Sequence, residues 1–294
     1  MDKLIISFVI LNYMTADETI RLAKHLSRFS SVDNIIVVDN DSPDGSFEQL
    51  RTIQNKKITV VKTDSNKGYS YGNNFGAKIC ERQNTTIMFI ANPDIWIDEE
   101  NLNKIIKQFQ KTDFSILSGV QYEIDGSIGE EPVQTLPTYK DDLQNCFFIG
   151  RKINDSKPEK KIDYSIPVQE MTMFRGSFFG IRLHQFFDVG GFDEGLFLYC
   201  EENILSKKLI DSGLKIGLVT SARYDHLHAK SISKVYKKRA TKIKLMYKSK
   251  LYYQRKYNRI NKIEALILII SMCISLAEFY IDDVIHSKGI NNNK

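Results

Sequence analysis

The stretch TTIMFIANPDIW, residues 85–96, runs through five apolar residues, Ile87 to Ala91, and stops without transition at Asn92, Pro93 and Asp94. Five apolar residues closed by a proline turn read as a strand buried on both faces, because a buried helix needs about ten or more. Burial on both faces belongs to a parallel sheet covered by helices on each side. Asp94 then stands where the strand leaves the sheet, and the chain's single tryptophan, Trp96, is placed to pack against that turn and hold it.

The same design repeats outward. Runs rich in Ile and Val at 4–11, 34–39, 58–62, 86–91 and 115–120 alternate with helical stretches at 15–29, 47–54, 71–82 and 99–110. In the first of those helices Ile20, Ala23, Leu26 and Phe29 recur every third residue and share one face. This rhythm predicts an α/β domain with a mostly parallel central sheet flanked by helices. Ligands of such sheets gather beyond the C-terminal ends of the strands. Polar residues cluster there: Asn12-Tyr13 after the first strand, VVDNDSPDGS (37–46) at the second and ANPDIW (91–96) at the fourth. From 121 to 171 the rhythm is lost, and four of the six prolines fall in this span, which is expected to be a variable surface.

Composition bounds the rest. The 294 residues, 42% of them hydrophobic, are enough for a sizeable core. Cys80, Cys146, Cys200 and Cys273 lie far apart, which excludes a paired-cysteine zinc or redox motif. The apolar stretch 4–11 is too short for a leader and runs straight into Asn12, so export is not expected. The net charge of +5 conceals a segregation: residues 230–262 hold 13 Lys or Arg and no acid, leaving 28 basic against 36 acidic residues elsewhere. Such a basic segment marks a surface that meets an anion. Two helices are expected at the C-terminus, a basic one over 233–258 and an apolar one over 263–281. The second has a 13-residue uncharged core, 265–277, shorter than the roughly 20 residues of a spanning helix. It is expected to lie in a membrane interface or to pack on protein. The organisation expected is a domain over 1–232, followed by the helices of 233–294.

The polar clusters carry candidate chemistry. Asp39 ends the second strand, where it can accept hydrogen bonds from a nucleoside or simply cap the turn that follows. NKGYSYGNNFGAK (66–78) spaces Gly68, Gly72 and Gly76 four apart. It departs from the dinucleotide fingerprint and suits either a helix start offering N–H groups to an anion or close packing of a helix. Asp94 is free to take a hard divalent cation because Asp98 is the better placed cap for the next helix. Glu201 and Glu202 head a helix and point about 100° apart, so one of them can face a cleft. His226 and His228 lie two apart on an extended segment and point the same way, toward a metal or a phosphate.

Taken in order, VILNY, VVDNDSPDGS, NKGYSYGNNFGAK, FIANPDIW, GSFFGIR, GGFDEGLFLYCEENILSKKLIDSG and the late histidines resemble family 2 glycosyltransferases, and within them a rhamnosyltransferase-like group that makes bacterial surface polysaccharides such as capsule or O-antigen. The resemblance covers residues 4 to about 232. It implies the GT-A type nucleotide-diphospho-sugar transferase fold, with nucleotide-sugar binding in 1–120 and the acceptor side in 121–232, and inverting transfer from a nucleotide-sugar, dTDP-rhamnose or a UDP-hexose. It places Asn12, Asp39, Asn66, Gly68, Asn92 and Asp94 at the donor, and Mg²⁺ or Mn²⁺ on Asp94 and His228, with His226 as the alternative to His228. Asn92 stands where the family's metal motif usually has its first acid. Glu202 falls on the catalytic base with Glu201 beside it. The partners implied are a glycan or undecaprenyl-diphosphate-linked acceptor and the inner face of the cell membrane, to which a cytoplasmic protein would bind peripherally. A homo-oligomer through the C-terminal helices is a further expectation, and nucleic acid is not an expected partner. The rival readings are a nucleotidyltransferase acting on a sugar phosphate, and a non-catalytic nucleic-acid or scaffold protein using the basic tail.

Overall fold

The computed structural model describes residues 3–129, 135–147, 150, 161–227 and 239–289. They group into two compact units, one of residues 1–136, 159–197 and 201–231, the other of residues 137–158, 198–200 and 232–294.

The first unit begins with strands β1 (Ile6–Asn12), β2 (Asn34–Asp39), β3 (Ile58–Lys62) and β4 (Ile87–Ala91), paired in parallel in the order β3-β2-β1-β4. Alternation along each strand feeds two separate cores. Phe8, Ile10, Ile35 and Val37 face one side of the sheet, Val9, Ile36 and Val38 the other. Helices α1 (Ala16–Leu26) and α4 (Glu99–Lys111) bring Leu22, Leu26, Leu102 and Phe109 to the first core. Helix α3 (Tyr69–Arg82) brings Ala77 and Cys80 to the second. A short α2 (Ser46–Arg51) joins β2 to β3. Gly72 and Gly76 are the close-packing glycines of α3: a Cβ on Gly72 would overlap Leu11, and one on Gly76 would stand 2.6 Å from Val9 Cγ1.

Beyond β4 the sheet becomes mixed. Strand β8 (Phe178–Arg182) is antiparallel to β4, and β6 (Ile116–Tyr122) pairs antiparallel with β8 and parallel with β9 (Ile216–His226). Strands β5 (Ile95–Trp96) and β7 (Val168–Met171) pair antiparallel with β9. Helices α6 (Leu183–Asp188) and α7 (Glu201–Asp211) precede β9. Strand β9 extends as far as His226 because β6 and then β5 supply partners to its second half.

The second unit contains α5 (Tyr139–Asn145), α8 (Arg239–Lys256) and α9 (Lys262–Gly289) around Cys146, Tyr247, Leu268 and Met272. Asp142 of α5 is buried and holds Lys250 Nζ at 2.8 Å and Gln254 Nε2 at 2.7 Å, which ties α5 to α8. Helix α9 is also longer than expected. Its stretch Lys262–Tyr280 has a mean hydropathy of 1.9 and, by length and composition alone, could cross a membrane.

Candidate active site

The site is built at the C-terminal ends of the parallel strands. Asn12 and Asp39 are register partners on β1 and β2 and both are fully buried. Asn12 Nδ2 donates to Asp39 Oδ1 at 2.7 Å, and the Ser42 amide donates to Asp39 Oδ2 at 3.0 Å. Thr19 donates to Asn12 Oδ1 from α1. Asp39 therefore fixes the turn after β2, with its carboxylate enclosed. Beside it, Asn40 Nδ2 donates to Asn66 Oδ1 at 3.0 Å and to the Gly68 carbonyl at 3.1 Å.

Gly68 (φ 103) turns the chain into α3 in a backbone region that favours glycine, and a Cβ there would overlap the Phe197 carbonyl. Its amide donates to Asn66 Oδ1 and the Tyr69 amide to the Phe197 carbonyl, both at 3.0 Å. With these two N–H groups used internally, the helix start is held firmly in place. Its role is to bring α3 against the segment that leads to the acidic pair. Burial, then the charges of Glu202 and Glu201, raise the Tyr69 pKa well above its ordinary value, which sets the phenol beside those carboxylates. Its hydroxyl donates to the Gly176 carbonyl at 3.0 Å.

Asn92-Pro93-Asp94 turns the chain from β4 into β5. Asp98 caps α4 by accepting from the Asn101 amide at 2.7 Å, so capping makes no demand on Asp94. Asp94 is 7% exposed, and its carbonyl accepts from the Leu227 amide. Because Ile95 is the register partner of His226, the imidazole comes to the carboxylate: His226 Nε2 lies 3.5 Å from Asp94 Oδ1. His226, the alternative in the sequence, is the histidine found at Asp94; His228 lies outside the described residues. Trp96 holds the turn as expected, stacked on His25 of α1 at 3.7 Å, and His25 Nε2 is 2.8 Å from the Ile97 carbonyl.

Residues Arg175-Gly176-Ser177 join the two halves of the site. Asn92 donates its amide to the Ser177 carbonyl at 2.8 Å, and Ser177 Oγ lies 2.9 Å from Tyr224 Oη. One residue earlier, a Cβ on Gly176 would stand 2.8 Å from Glu202 Oε1. The glycine is what lets the carboxylate lie over this segment. Desolvation by burial raises the Glu202 pKa above the ordinary glutamate value, although part of the residue remains accessible. Glu201 is buried, as expected for a pair in which one acid faces a cleft. Tyr199 (φ 73) and Cys200 (φ 68) enter α7 through the left-handed region, a strain of ~1–3 kcal/mol each for side-chain-bearing residues. Gly176 and Ser177 belong to the GSFFGIR motif of the sequence, which assigns them no site role. A glycine between Arg and Ser at the head of an apolar strand was the available signal.

An aspartate oxygen and an imidazole nitrogen 3.5 Å apart form a donor set suited to Mn²⁺ or Mg²⁺, with phosphate oxygens and water as the usual remaining ligands. Among the described residues no cluster of three or more His, Cys, Asp or Glu is present. Such a site would thus depend on its substrate for most of its ligands.

The sequence profile described as glycosyl transferase family 2 matches residues 7–182, more than half of the chain. The chain belongs to glycosyl transferase family 2. Within the family it is 28% identical over 198 residues to the low-salt glycan biosynthesis hexosyltransferase Agl10 of Haloferax volcanii, covering 67% of this chain and 59% of that one. It is 27% identical over 165 residues to the rhamnosyltransferase WbbL of Escherichia coli K12, covering 54% and 60%. The matches span about three-fifths of the length of either relative. The mannosyltransferase PcManGT of Pyrobaculum calidifontis, solved with GDP-Man and Mn²⁺, shares the fold at a TM-score of 0.58 and 14% identity, over 99% of this chain and 81% of that one. This family 2 domain thus has the GT-A fold expected from its sequence.

Proposed function

We propose that the chain transfers a sugar, with inversion, from a nucleotide-sugar to a hydroxyl of a growing lipid-linked surface glycan. The observation that carries this is the convergence on Arg175-Gly176-Ser177, where Asn92 binds Ser177 and the Glu202 carboxylate lies over Gly176. Asn92 and Asp94 on one side, and Glu202 on the other, then flank the place where a donor and an acceptor meet. The names of the relatives support transfer of a hexose or rhamnose, and the donors proposed are dTDP-rhamnose first and UDP-hexoses next.

Glu202 takes the proton of the acceptor hydroxyl as its oxygen bonds to the anomeric carbon and the bond to the diphosphate breaks, a role typically contributing ~10²–10⁴ in rate. A pKa raised by desolvation makes Glu202 a stronger base than an exposed glutamate. Asp94 and His226 would hold Mg²⁺ or Mn²⁺, which when bound supplies positive charge to the leaving diphosphate. Trp96 and His25 keep Asp94 aimed by fixing β5, the strand that follows it.

Nucleoside diphosphate release should be measured over a panel of dTDP- and UDP-sugars, with Mn²⁺ and with chelator, and with glycan acceptors. One donor should stand out, chelator should suppress transfer, and Glu202→Gln should abolish transfer while keeping donor binding. Full transfer by Glu202→Gln would overturn the assignment.

A further inference from the structure

Helix α9 has two faces of different fate. Ala265, Leu268, Met272 and Ser275 are buried against α8, where Tyr247 Oη and Ser275 Oγ share a buried hydrogen bond of 2.7 Å. Between Ile263 and Ile274 the opposite face is exposed and aliphatic. Ile263 is 71% exposed, Leu266 57%, Ile270 51% and Ile274 47%, and no charge occurs from 265 to 277. An apolar arc of this extent marks a surface that is covered in use. Alongside it α8 and the following turn, residues 239–262, carry nine Lys or Arg and no acid. We infer that the exposed arc of α9 inserts into an anionic bilayer with the helix lying in the plane of the interface.

Two observations select this occupant. Helix α8 packs on the side of α9 opposite the exposed arc, so a bilayer met by that arc leaves the Lys and Arg side chains of α8 at the depth of its headgroups. An anionic lipid surface complements that charge. The hairpin also decides against spanning, although α9 is long enough. Tyr247 is locked to Ser275, so an α9 set across the hydrocarbon would carry the adjacent Lys244 and Lys248, both exposed, to the same depth. In the interfacial plane those side chains stay with the headgroups.

Cys273 tests the geometry directly, being the exposed cysteine of the four and close to the middle of Lys262–Tyr280. The full chain, labelled there with an environment-sensitive fluorophore, should bind vesicles of phosphatidylcholine with 30% phosphatidylglycerol at least tenfold more tightly than phosphatidylcholine alone. Lipids carrying a nitroxide near the headgroup should quench the label more than lipids carrying it near the chain terminus. The triple variant Ile267→Ser, Ile270→Ser, Ile274→Ser changes only exposed positions and should lose at least tenfold in binding while its circular dichroism is unchanged. Stronger quenching from the chain terminus would establish a spanning helix and overturn the proposal. A folded triple variant that binds as tightly as the parent would overturn it too, as would a soluble dimer of the parent that ignores vesicles. The test does not involve transfer activity, so its outcome is separate from that of the reaction above.

Discussion

Replacing Gly176 with Ala tests how Glu202 is held. The added Cβ would stand 2.8 Å from Glu202 Oε1 and 3.3 Å from its Cδ. Ordinary carbon–oxygen van der Waals contact is about 3.3 Å, so the carboxylate must retreat by about half an ångström. Gly176 is not among the positive-φ glycines, so alanine brings no backbone strain. The displaced atoms are the free end of a side chain, which keeps the stability cost below ~1 kcal/mol. Catalysis is less tolerant: a misplacement of ~1 Å can cost ~10²-fold, so half of that should lower kcat about tenfold, equivalent to ~1.4 kcal/mol of barrier. Nucleoside diphosphate release at saturating donor measures kcat, and differential scanning fluorimetry gives Tm on the same preparation. A tenfold loss in kcat with Tm and donor KM little changed is the expected result. Wild-type kcat in Gly176→Ala would refute the view that Glu202 acts from its seat over this glycine.

The raised pKa of Glu202 also predicts a stability effect of definite sign. The folded chain holds the proton at higher pH than the unfolded one, so this residue's contribution to stability falls as pH rises from the ordinary glutamate value of 4.5 through the folded pKa. Glu202→Gln should therefore melt higher than the parent at pH 8, with the gap closing below pH 4.5; a lower Tm at pH 8 would contradict the desolvation. Asp94→Asn and His226→Gln should each weaken Mn²⁺-dependent nucleoside diphosphate binding at least ~10-fold by titration calorimetry, and undiminished binding in both would remove them from the metal. Gly68→Ala combines a left-handed φ with overlap of the Phe197 carbonyl and should cost at least ~2 kcal/mol in chemical denaturation. Asp142→Ala leaves Lys250, 22% exposed, without its carboxylate and should cost ~3 kcal/mol, read as early hydrogen exchange in α8; unchanged exchange would show the pair to be dispensable.

The sequence by itself determined the strand–helix rhythm of the first 120 residues, because each parallel strand is buried on both faces and so announces itself as a short apolar run. Strands at 34–39 and 58–62 are found where the runs lie, and Asp94 stands free at the mouth of β4 because Asp98 caps the next helix. The acidic pair and the order of the motifs were legible for the same reason: they are local. What only the tertiary structure decided is which of these residues meet. The histidine beside Asp94 follows from the antiparallel register of β5 and β9, whose strands are more than a hundred residues apart in sequence. The seat of Glu202 on Gly176, the enclosure of Asp39 by Asn12 and Ser42, and the grouping of α5 with the last two helices likewise rest on long-range pairings. Hydrophobic periodicity records which face of an element is buried, whereas the identity of the neighbour across that face is set only when the whole sheet closes.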